Sequence, residues 1–261
     1  MIHLRSVQFK SFEDSPSTYP FNLPLIQHLS SINFQSPVTF FVGENGSGKS
    51  TLIETIAMAV GSIFVGSENI QKDKSMLPAK KLANYLQLVW NKRTHKGFFL
   101  RAEDFFGYAR RMAHLRVEMQ AELEEMQKQT SNRSILAQQL AESPFQRELY
   151  GMKQNKSDSL DHVSHGESFL QLFQSRFVPD GLYLLDEPEA PLSPLRQLTL
   201  ITLIKQMVAE NAQFIIATHS PILMAFPDAE ILNFDEVPIR QIAFDDLQHV
   251  EIMRGFLNNP D

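Results

Sequence analysis

The residues with the clearest chemical potential lie in the stretch GENGSGKST, which runs from Gly43 to Thr51. It fits the pattern G-x-x-x-x-G-K-[ST], in which glycines let the backbone turn so that successive N–H groups point at phosphate oxygens. Lys49 is placed to reach the outer phosphates of a nucleotide, and the Ser50 hydroxyl is suited to bind Mg²⁺. The stretch predicts a nucleotide-phosphate site. Its predicted binding residues are Asn45, Gly46, Ser47, Gly48, Lys49, Ser50 and Thr51.

A pair of acids follows an apolar run in LYLLDEPEA, where Asp186 and Glu187 are adjacent. An apolar strand that ends in an acid is suited to hold Mg²⁺, because ligands bind at the carboxyl ends of parallel sheets. Alternation along a strand predicts that Glu187 points to the opposite side of the chain, where it could act as a general base on water. A solvated acidic turn before Pro188 is the alternative for an isolated DEPE.

A histidine ends a second apolar run, FIIATHS, and lies 33 residues after Asp186. That separation leaves room for one helix and one strand, so the two strand ends are expected to be neighbours. We expect His219 to contact a terminal phosphate or to relay a proton, with a packing role as the alternative.

The elements that must position these residues alternate along the chain, and each is predicted from its apolar pattern. Strands are expected in IHLRSVQFKSF, FNLPLIQHL, SPVTFFVG, GFFLRAE, GLYLLDE and AQFIIATHS, helices in KSTLIETIAMAVGSIF, ESFLQLFQSRF and SPLRQLTLITLIKQMVAE, and a hairpin in AEILNFDEVPIRQIAF. Alternating strands and helices favour an α/β fold with a mainly parallel sheet core. An antiparallel β region is expected at the N-terminus.

A helical pattern interrupts this order from about residue 104, where apolar residues recur at three- and four-residue steps. Such a stripe is typical of the core face of a helix. We therefore predict an α/β core formed by residues 1–103 and 164–261, with a helical subdomain inserted at 104–163.

Composition excludes several classes of protein. The chain has 261 residues, 43% of them hydrophobic, a net charge of -6 and no cysteine, which excludes disulfides and thiolate metal sites. The acidic balance gives no overall attraction to nucleic acid. No signal peptide and no apolar run of about 20 residues is present, so a cytoplasmic protein without an integral membrane segment is expected.

A local excess of basic residues lies between positions 92 and 116 of this acidic chain. It could follow a phosphodiester backbone or bind an acidic effector protein, although solvated surface charges are the alternative. The residues are Lys92, Arg93, Lys96, Arg101, Arg110, Arg111 and Arg116.

The phosphate loop, the LLDEP strand end and the THS strand end, in this order, resemble an ABC-type P-loop ATPase over nearly the whole chain. That family has a signature, written LSGGQ or LSGGE, about 20 residues before its DEP element. Here VSHGE matches it at Ser164, Gly166 and Glu167 and departs from it at Val163 and His165. Taken alone, this stretch would be an ordinary helix cap.

The strand LRSVQFKSF and the form of the signature resemble the SMC- and RecF-like branch, and the chain is similar to small standalone bacterial ATPases labelled AAA and SMC-like. In that family a glutamine loop contacts Mg²⁺ or the attacking water, and Glu103 occupies its place here. A plain acid at a helix N-terminus is the alternative for Glu103. Tyr19 or Phe21 could stack on adenine, as an upstream aromatic does in the family, although core packing is favoured.

The resemblance implies a homodimer that forms on ATP binding, with two ATP and Mg²⁺ sandwiched between the signature of one copy and the phosphate loop of the other. It implies ATP hydrolysis with Glu187 and His219 as catalytic residues and Ser50, Asp186 and Glu103 near the metal. A role related to DNA or to regulating a partner, in repair or defence, is expected. The alternatives are a nucleotide-binding subunit of an ABC transporter and a nucleotide-gated binding module with little turnover.

Overall fold

The computed structural model describes residues 1–10, 18–65, 74–105 and 165–259, with isolated positions between 107 and 126. The predicted insertion at 104–163 lies almost wholly outside these residues. Ser164, just after the insertion, lies outside them as well. The strands are β1 (Leu4–Phe9), β2 (Ser31–Asn33), β3 (Val38–Val42), β4 (Ile63–Val65), β5 (Leu86–Trp90), β6 (Phe98–Arg101), β7 (Leu182–Asp186), β8 (Gln213–Ala217), β9 (Glu230–Asn233) and β10 (Arg240–Gln241). The helices are α1 (Pro24–His28), α2 (Lys49–Val60), α3 (Leu77–Ala83), α4 (His165–Arg176), α5 (Pro194–Ala209), α6 (Pro221–Met224) and α7 (Gln248–Asn258).

The main sheet has seven strands in the order β10-β9-β3-β8-β7-β6-β4. All neighbours are parallel except β9 and β10, which form the predicted antiparallel hairpin. The α/β class with a mainly parallel core is confirmed. Because β7 lies between β6 and β8, and β8 lies next to β3, the residues that follow these strands meet at one edge of the sheet.

The central strands are buried on both faces, which explains their continuous apolar sequences. Neighbouring residues serve opposite sides: Phe40 packs with α4 and α5, whereas Phe41 packs with α2 and β1. Each face of the sheet therefore has its own apolar core. Side chains that end these strands are held by packing on both sides.

A second sheet, β2-β1-β5, is antiparallel and confirms the expected N-terminal β region. The side chain of Gln213, at the start of β8, joins the two sheets. Its Oε1 accepts the N–H groups of His3 and Leu4 at 2.8 Å, and its Nε2 donates to the Leu4 carbonyl at 3.0 Å. These bonds satisfy buried backbone groups at the point where the sheets meet.

The prediction of a strand in FNLPLIQHL is wrong, because Pro24–His28 forms helix α1 and only Ser31–Asn33 is extended. Pro24 stands in the first turn of the helix, where its missing N–H costs nothing. Leu25 and Ile26 are buried in the core beneath the phosphate loop. The short helix thus supports the loop from below.

Helix α2 ends earlier than predicted, at Val60 rather than Phe64. Gly61 adopts φ 73°, and the N–H groups of Gly61 and Ser62 donate to the carbonyls of Met58 and Ala57. This is the usual way in which a glycine in the left-handed region closes a helix. The residues after it form strand β4, which pairs with β6.

Helix α7 carries apolar side chains that are exposed in this structure, namely Ile252, Met253, Phe256 and Leu257. Only Val250 of this helix is buried. Across the residues that the structure describes, none of the helices combines the length and the apolar character that crossing a membrane requires.

Candidate nucleotide site

The predicted phosphate loop connects β3 to α2. Gly48 precedes the helix with φ 98°, and a Cβ there would lie 2.9 Å from Leu25 Cδ2. The backbone angle favours glycine at this position, and a Cβ would also have to displace the end of the Leu25 side chain. The loop therefore has the conformation expected of a phosphate-binding turn at a helix N-terminus.

Lys49 is folded onto its own loop and is 5% exposed. Its Nζ donates to the carbonyl oxygens of Gly43 at 2.6 Å and of Glu44 at 2.8 Å. Burial lowers the pKa of Lys49, against the attraction of nearby carboxylates. The ammonium group therefore lies against the phosphate loop, whose predicted phosphate ligand it is also expected to bind.

Ser50 and Asp186, the two predicted Mg²⁺ ligands, meet directly. The Ser50 hydroxyl donates to Asp186 Oδ1 at 3.2 Å. Burial, together with the nearby Glu54 carboxylate, raises the pKa of Asp186 to about 7. Both donors are oxygens, and a buried carboxylate gains most from a cation that favours its ionised form. The donor set therefore fits Mg²⁺.

Alternation along the strand predicted that Glu187 points to the opposite side of the chain from Asp186. Both residues line the same pocket, because the strand ends at Asp186 and Glu187 has φ 50°, in the left-handed region. Glu187 also borders the pocket formed by the phosphate loop. The two carboxylates therefore face a common space next to Ser50.

His219 lies beside Glu187, with Nε2 3.9 Å from Glu187 Oε1. Burial lowers the pKa of His219, and the charge of Lys49 lowers it further. The imidazole is therefore favoured in its neutral form near pH 7, in which one ring nitrogen donates and the other accepts. The expected neighbourhood of the two strand ends is present in the structure.

Glu189 contributes to the site but was not singled out by the sequence analysis. Its Oε1 accepts the backbone N–H of His219 at 2.7 Å, and burial raises its pKa. The carboxylate thereby fixes the backbone of the histidine to the turn after β7. The third acid in DEPEA was the available signal, but sequence spacing alone does not show which backbone group it contacts.

Glu103 borders a pocket of about 460 Å³ that Ser50 and Asp186 also line. Its side chain is 74% exposed and pairs with Arg101 at 3.2 Å. Arg101 in turn binds Glu54 at 3.1 Å and Asp104 at 2.8 Å. Glu103 is therefore close to the predicted metal ligands but is held by an arginine.

The predicted signature is only partly described, since Ser164 lies outside the described residues. Gly166 is buried near the start of α4, where a Cβ would be 2.7 Å from the Pro191 carbonyl oxygen. Glu167 lies 3.6 Å from Arg196. Both residues therefore contact the segment after the acidic strand, and neither is among the residues that line the phosphate-loop pocket.

The two aromatic candidates for adenine stacking differ in their surroundings. Phe21 is 6% exposed and belongs to the core, as the favoured alternative predicted. Tyr19 is 53% exposed and borders the phosphate-loop pocket, with its hydroxyl 2.7 Å from Thr51 Oγ1. The structure thus leaves Tyr19 as the aromatic side chain placed beside the loop.

Comparison with known proteins identifies the family. A family model described as an AAA domain matches residues 9–163, more than half of the chain. The chain belongs to the AAA domain family. The matched part of this AAA domain protein includes the phosphate loop and Glu103. The predicted resemblance to ABC-type P-loop ATPases is confirmed by this match and by one of the relatives described next.

The individual relatives that the comparison found have low sequence identity to this chain. An uncharacterized ABC transporter ATP-binding protein of Haemophilus influenzae is 25% identical over 215 residues, which cover 81% of this chain and 75% of that protein. The Smc head domain of Pyrococcus furiosus, solved with the C-terminal domain of ScpA, has a TM-score of 0.48 at 12% identity, with 100% of both chains covered. A dimeric bacterial ABC transporter cassette has a TM-score of 0.44 at 13% identity, covering 92% of this chain and 100% of the other.

In this AAA domain protein, several side chains of the basic cluster are less available to bind a partner than the sequence suggested. Lys92 and Lys96 both lie near Asp180, at 3.3 and 3.9 Å, and Arg101 is 8% exposed within its ion pairs. Arg110, Arg111 and Arg116 lie outside the described residues. Pairing and burial therefore offset part of the local positive charge.

Proposed function

We propose that this chain binds ATP together with Mg²⁺ and hydrolyses the bond to the terminal phosphate. The observation that carries the proposal is the 3.2 Å bond between Ser50 and Asp186, which joins the phosphate loop to the acidic strand end. Lys49 lies buried in the same loop, and Glu187 borders it. Membership of the AAA domain family supports this assignment.

The proposed roles follow from the position of each side chain. The loop N–H groups and Lys49 hold the phosphates, while Ser50 and Asp186 hold Mg²⁺, which neutralises developing negative charge. Glu187 takes a proton from the attacking water. His219, held through its backbone by Glu189, contacts the terminal phosphate. Glu103 faces this space and assists at the metal or the water.

Phosphate release in the presence of Mg²⁺ and ATP tests the proposal. Glu187→Gln keeps the shape of the side chain but loses the base, so turnover should fall about 10²- to 10⁴-fold while ATP still binds. The exposed Glu251→Gln is the matched control and should retain wild-type turnover. No phosphate release by the wild-type protein would favour a nucleotide-gated binding module instead.

We further propose that two copies act as a dimer, with Ser164, Gly166 and Glu167 of one copy facing the phosphate loop of the other. Support comes from the position of Gly166 and Glu167, which pack against the Pro191–Arg196 segment of their own chain. A helix N-terminus such as that of α4 is suited to an anion supplied from outside. Closure on ATP and opening after hydrolysis would be the mechanical output.

We propose that the cycle of dimer closure and opening has a role related to DNA or regulates a partner protein. DNA binding through the remaining basic residues predicts affinity that falls steeply between about 50 and 200 mM salt. Affinity that does not change with salt would rule out electrostatic DNA binding.

A second candidate, the nucleotide-binding subunit of a transporter, is favoured by the name of the Haemophilus influenzae relative. Co-purification from native membranes would separate the two roles. A stable complex with an integral membrane protein would support the transporter subunit, and its absence together with DNA binding would support the first role.

A further inference from the structure

One peptide group of the phosphate loop is hydrogen-bonded to charged side chains at both ends. The group joins Gly43 to Glu44. Its carbonyl oxygen, on Gly43, accepts Lys49 Nζ at 2.6 Å, and its N–H, on Glu44, donates to Asp235 Oδ1 at 2.6 Å. The peptide therefore lies between an ammonium group and a carboxylate.

Asp235 reaches the loop because the chain around it is fixed to the main sheet. Strand β9 is parallel to β3, with Asn233 opposite Val42. The Phe234 N–H donates to the Val42 carbonyl at 2.8 Å, and the Asp235 N–H donates to Asn233 Oδ1 at 3.1 Å. The backbone that carries Asp235 therefore runs beside the start of the loop.

The contact leaves no room for a larger residue at Gly43. A Cβ at this position would lie 2.8 Å from Asp235 Oδ1 and 3.2 Å from the Asp235 backbone nitrogen, and φ is 143°. The first glycine of the motif is thus required in part because the β9–β10 hairpin approaches it. Loop and hairpin form one packed unit.

The electrostatics of Lys49 agree with this geometry. Burial lowers the pKa of Lys49, and among the charges that oppose this effect Asp235 acts more strongly than Glu187 or Asp186. Hydrogen bonds to charged partners at both ends of one peptide also polarise each other. Asp235 and Lys49 are therefore coupled, although the described contacts show no direct hydrogen bond between them.

We propose that Asp235 is a positioning residue for Lys49, acting through the peptide between Gly43 and Glu44. By accepting the Glu44 N–H, it keeps the Gly43 carbonyl directed at the ammonium group and prevents the peptide from turning over. The lysine is then held beside the phosphate position until nucleotide arrives. The inference rests on the proposed binding of ATP by Lys49.

Titration with fluorescent ATP in Mg²⁺ tests this role, using Asp235→Ala and Asp235→Asn. Alanine removes the acceptor for the Glu44 N–H, so the dissociation constant should rise about tenfold, as expected for one charge-assisted hydrogen bond. Asparagine retains an acceptor oxygen but loses the charge, so its dissociation constant should lie between those of wild type and the alanine variant. The neighbouring Glu236→Ala, which removes only an exposed ion pair with Arg240, is the matched control and should stay within about twofold of wild type.

Fluorescent AMP separates positioning of Lys49 from general damage to the loop. AMP lacks the phosphates that the lysine is expected to contact, so Asp235→Ala should leave its affinity within about twofold of wild type. Thermal unfolding without nucleotide checks the fold, and Asp235→Ser, whose shorter side chain cannot reach the amide, replaces an alanine variant that does not fold.

The outcomes are distinguishable. Equal ATP affinity for Asp235→Ala and Glu236→Ala would overturn the inference, as would an asparagine variant as weak as the alanine variant or equal losses for ATP and AMP. A wild-type protein that does not bind ATP would instead overturn the proposed function itself.

Discussion

Asp186 is a carboxylate placed where ionisation is unfavourable. It is buried at the end of β7, close to Glu54, and its pKa is raised to about 7. Transfer of such a group out of water costs free energy unless a cation or hydrogen bonds compensate. Only the Ser50 hydroxyl is seen to donate to its side chain among the described contacts. A divalent cation would thus stabilise both the ionised carboxylate and the folded site.

Lys49→Ala should weaken ATP binding, because each charge-assisted contact to phosphate contributes about 1.5–3 kcal/mol. One lost contact corresponds to a dissociation constant about 10- to 150-fold higher. Isothermal titration with ATP and Mg²⁺ measures the change. The exposed Lys205→Ala, on α5, is the matched control, and equal affinities for the two variants would contradict the role of Lys49.

Glu230→Gln should stabilise the protein near neutral pH. Burial raises the pKa of Glu230, whose Oε2 accepts the Gln35 N–H at 2.9 Å and the Thr39 hydroxyl at 3.2 Å. Glutamine can accept both bonds through its own oxygen without a buried charge.

The pH dependence gives the sign of this effect. A raised folded-state pKa means that stability is fully present below the ordinary glutamate value of 4.5 and is lost as the pH rises through the folded value. The melting temperature of Glu230→Gln should therefore exceed that of wild type at about pH 8, and the difference should shrink toward pH 4.5. An advantage that does not change with pH would contradict this explanation, and Glu236→Gln, an exposed acid, should show none.

Among the elements, strands β6 and β7 depend on one glycine. A Cβ at Gly97, just before β6, would lie 1.9 Å from the Leu182 carbonyl oxygen, and φ is 113°. Gly97→Ala should lower the free energy of unfolding by about 3 kcal/mol or more, since backbone strain and overpacking add. Urea denaturation measures the loss.

Gly255→Ala is the matched control for that experiment, because nothing lies within 4 Å of a Cβ there and the residue is inside helix α7. Alanine should stabilise this helix by about 0.5–1 kcal/mol. Equal unfolding midpoints for the two variants would show that the close approach at Gly97 is relieved without cost.

Helices and strands with a strong apolar pattern could be predicted from the sequence. Those whose form depends on contacts with neighbouring elements could not. The buried strands β3, β7 and β8 are predicted well, because burial on both faces demands continuous apolar runs. Strand β5 was not predicted, since only Leu86 of its five residues is buried and its form depends on pairing with β1. Helix α7 was also missed, as it buries little of its own surface.

At the site, sequence motifs predicted the phosphate loop, the two acids and His219 as neighbours. They did not predict that Glu187 lines the same pocket as Asp186, because its positive φ depends on the turn after β7. Asp235 and Glu189 were missed for a common reason: each binds a backbone N–H far away in sequence, and no side-chain pattern records such a contact. The position of Ser164 remains a prediction.

For the whole molecule, Glu187→Gln should accumulate as a dimer when ATP and Mg²⁺ are present. The variant retains the predicted binding residues but does not remove the terminal phosphate that would bridge two copies. Size-exclusion chromatography with light scattering should give about twice the monomer mass with ATP and the monomer mass with ADP. A monomer under both conditions would contradict the sandwich arrangement, and Glu251→Gln, which should retain the proposed hydrolysis, serves as the control.

The position of β3, β7 and β8 inside the main sheet has a consequence for local fluctuations. Strands β3, β7 and β8 have hydrogen-bonded neighbours on both sides, whereas β4 and β10 lie at the ends of the sheet. Transient opening starts where amides have fewest neighbours, so it should reach the central strand β8 last and reach β7 only after β4 and β6. Asp186, at the end of an inner strand, should therefore keep its position while the edge strands open.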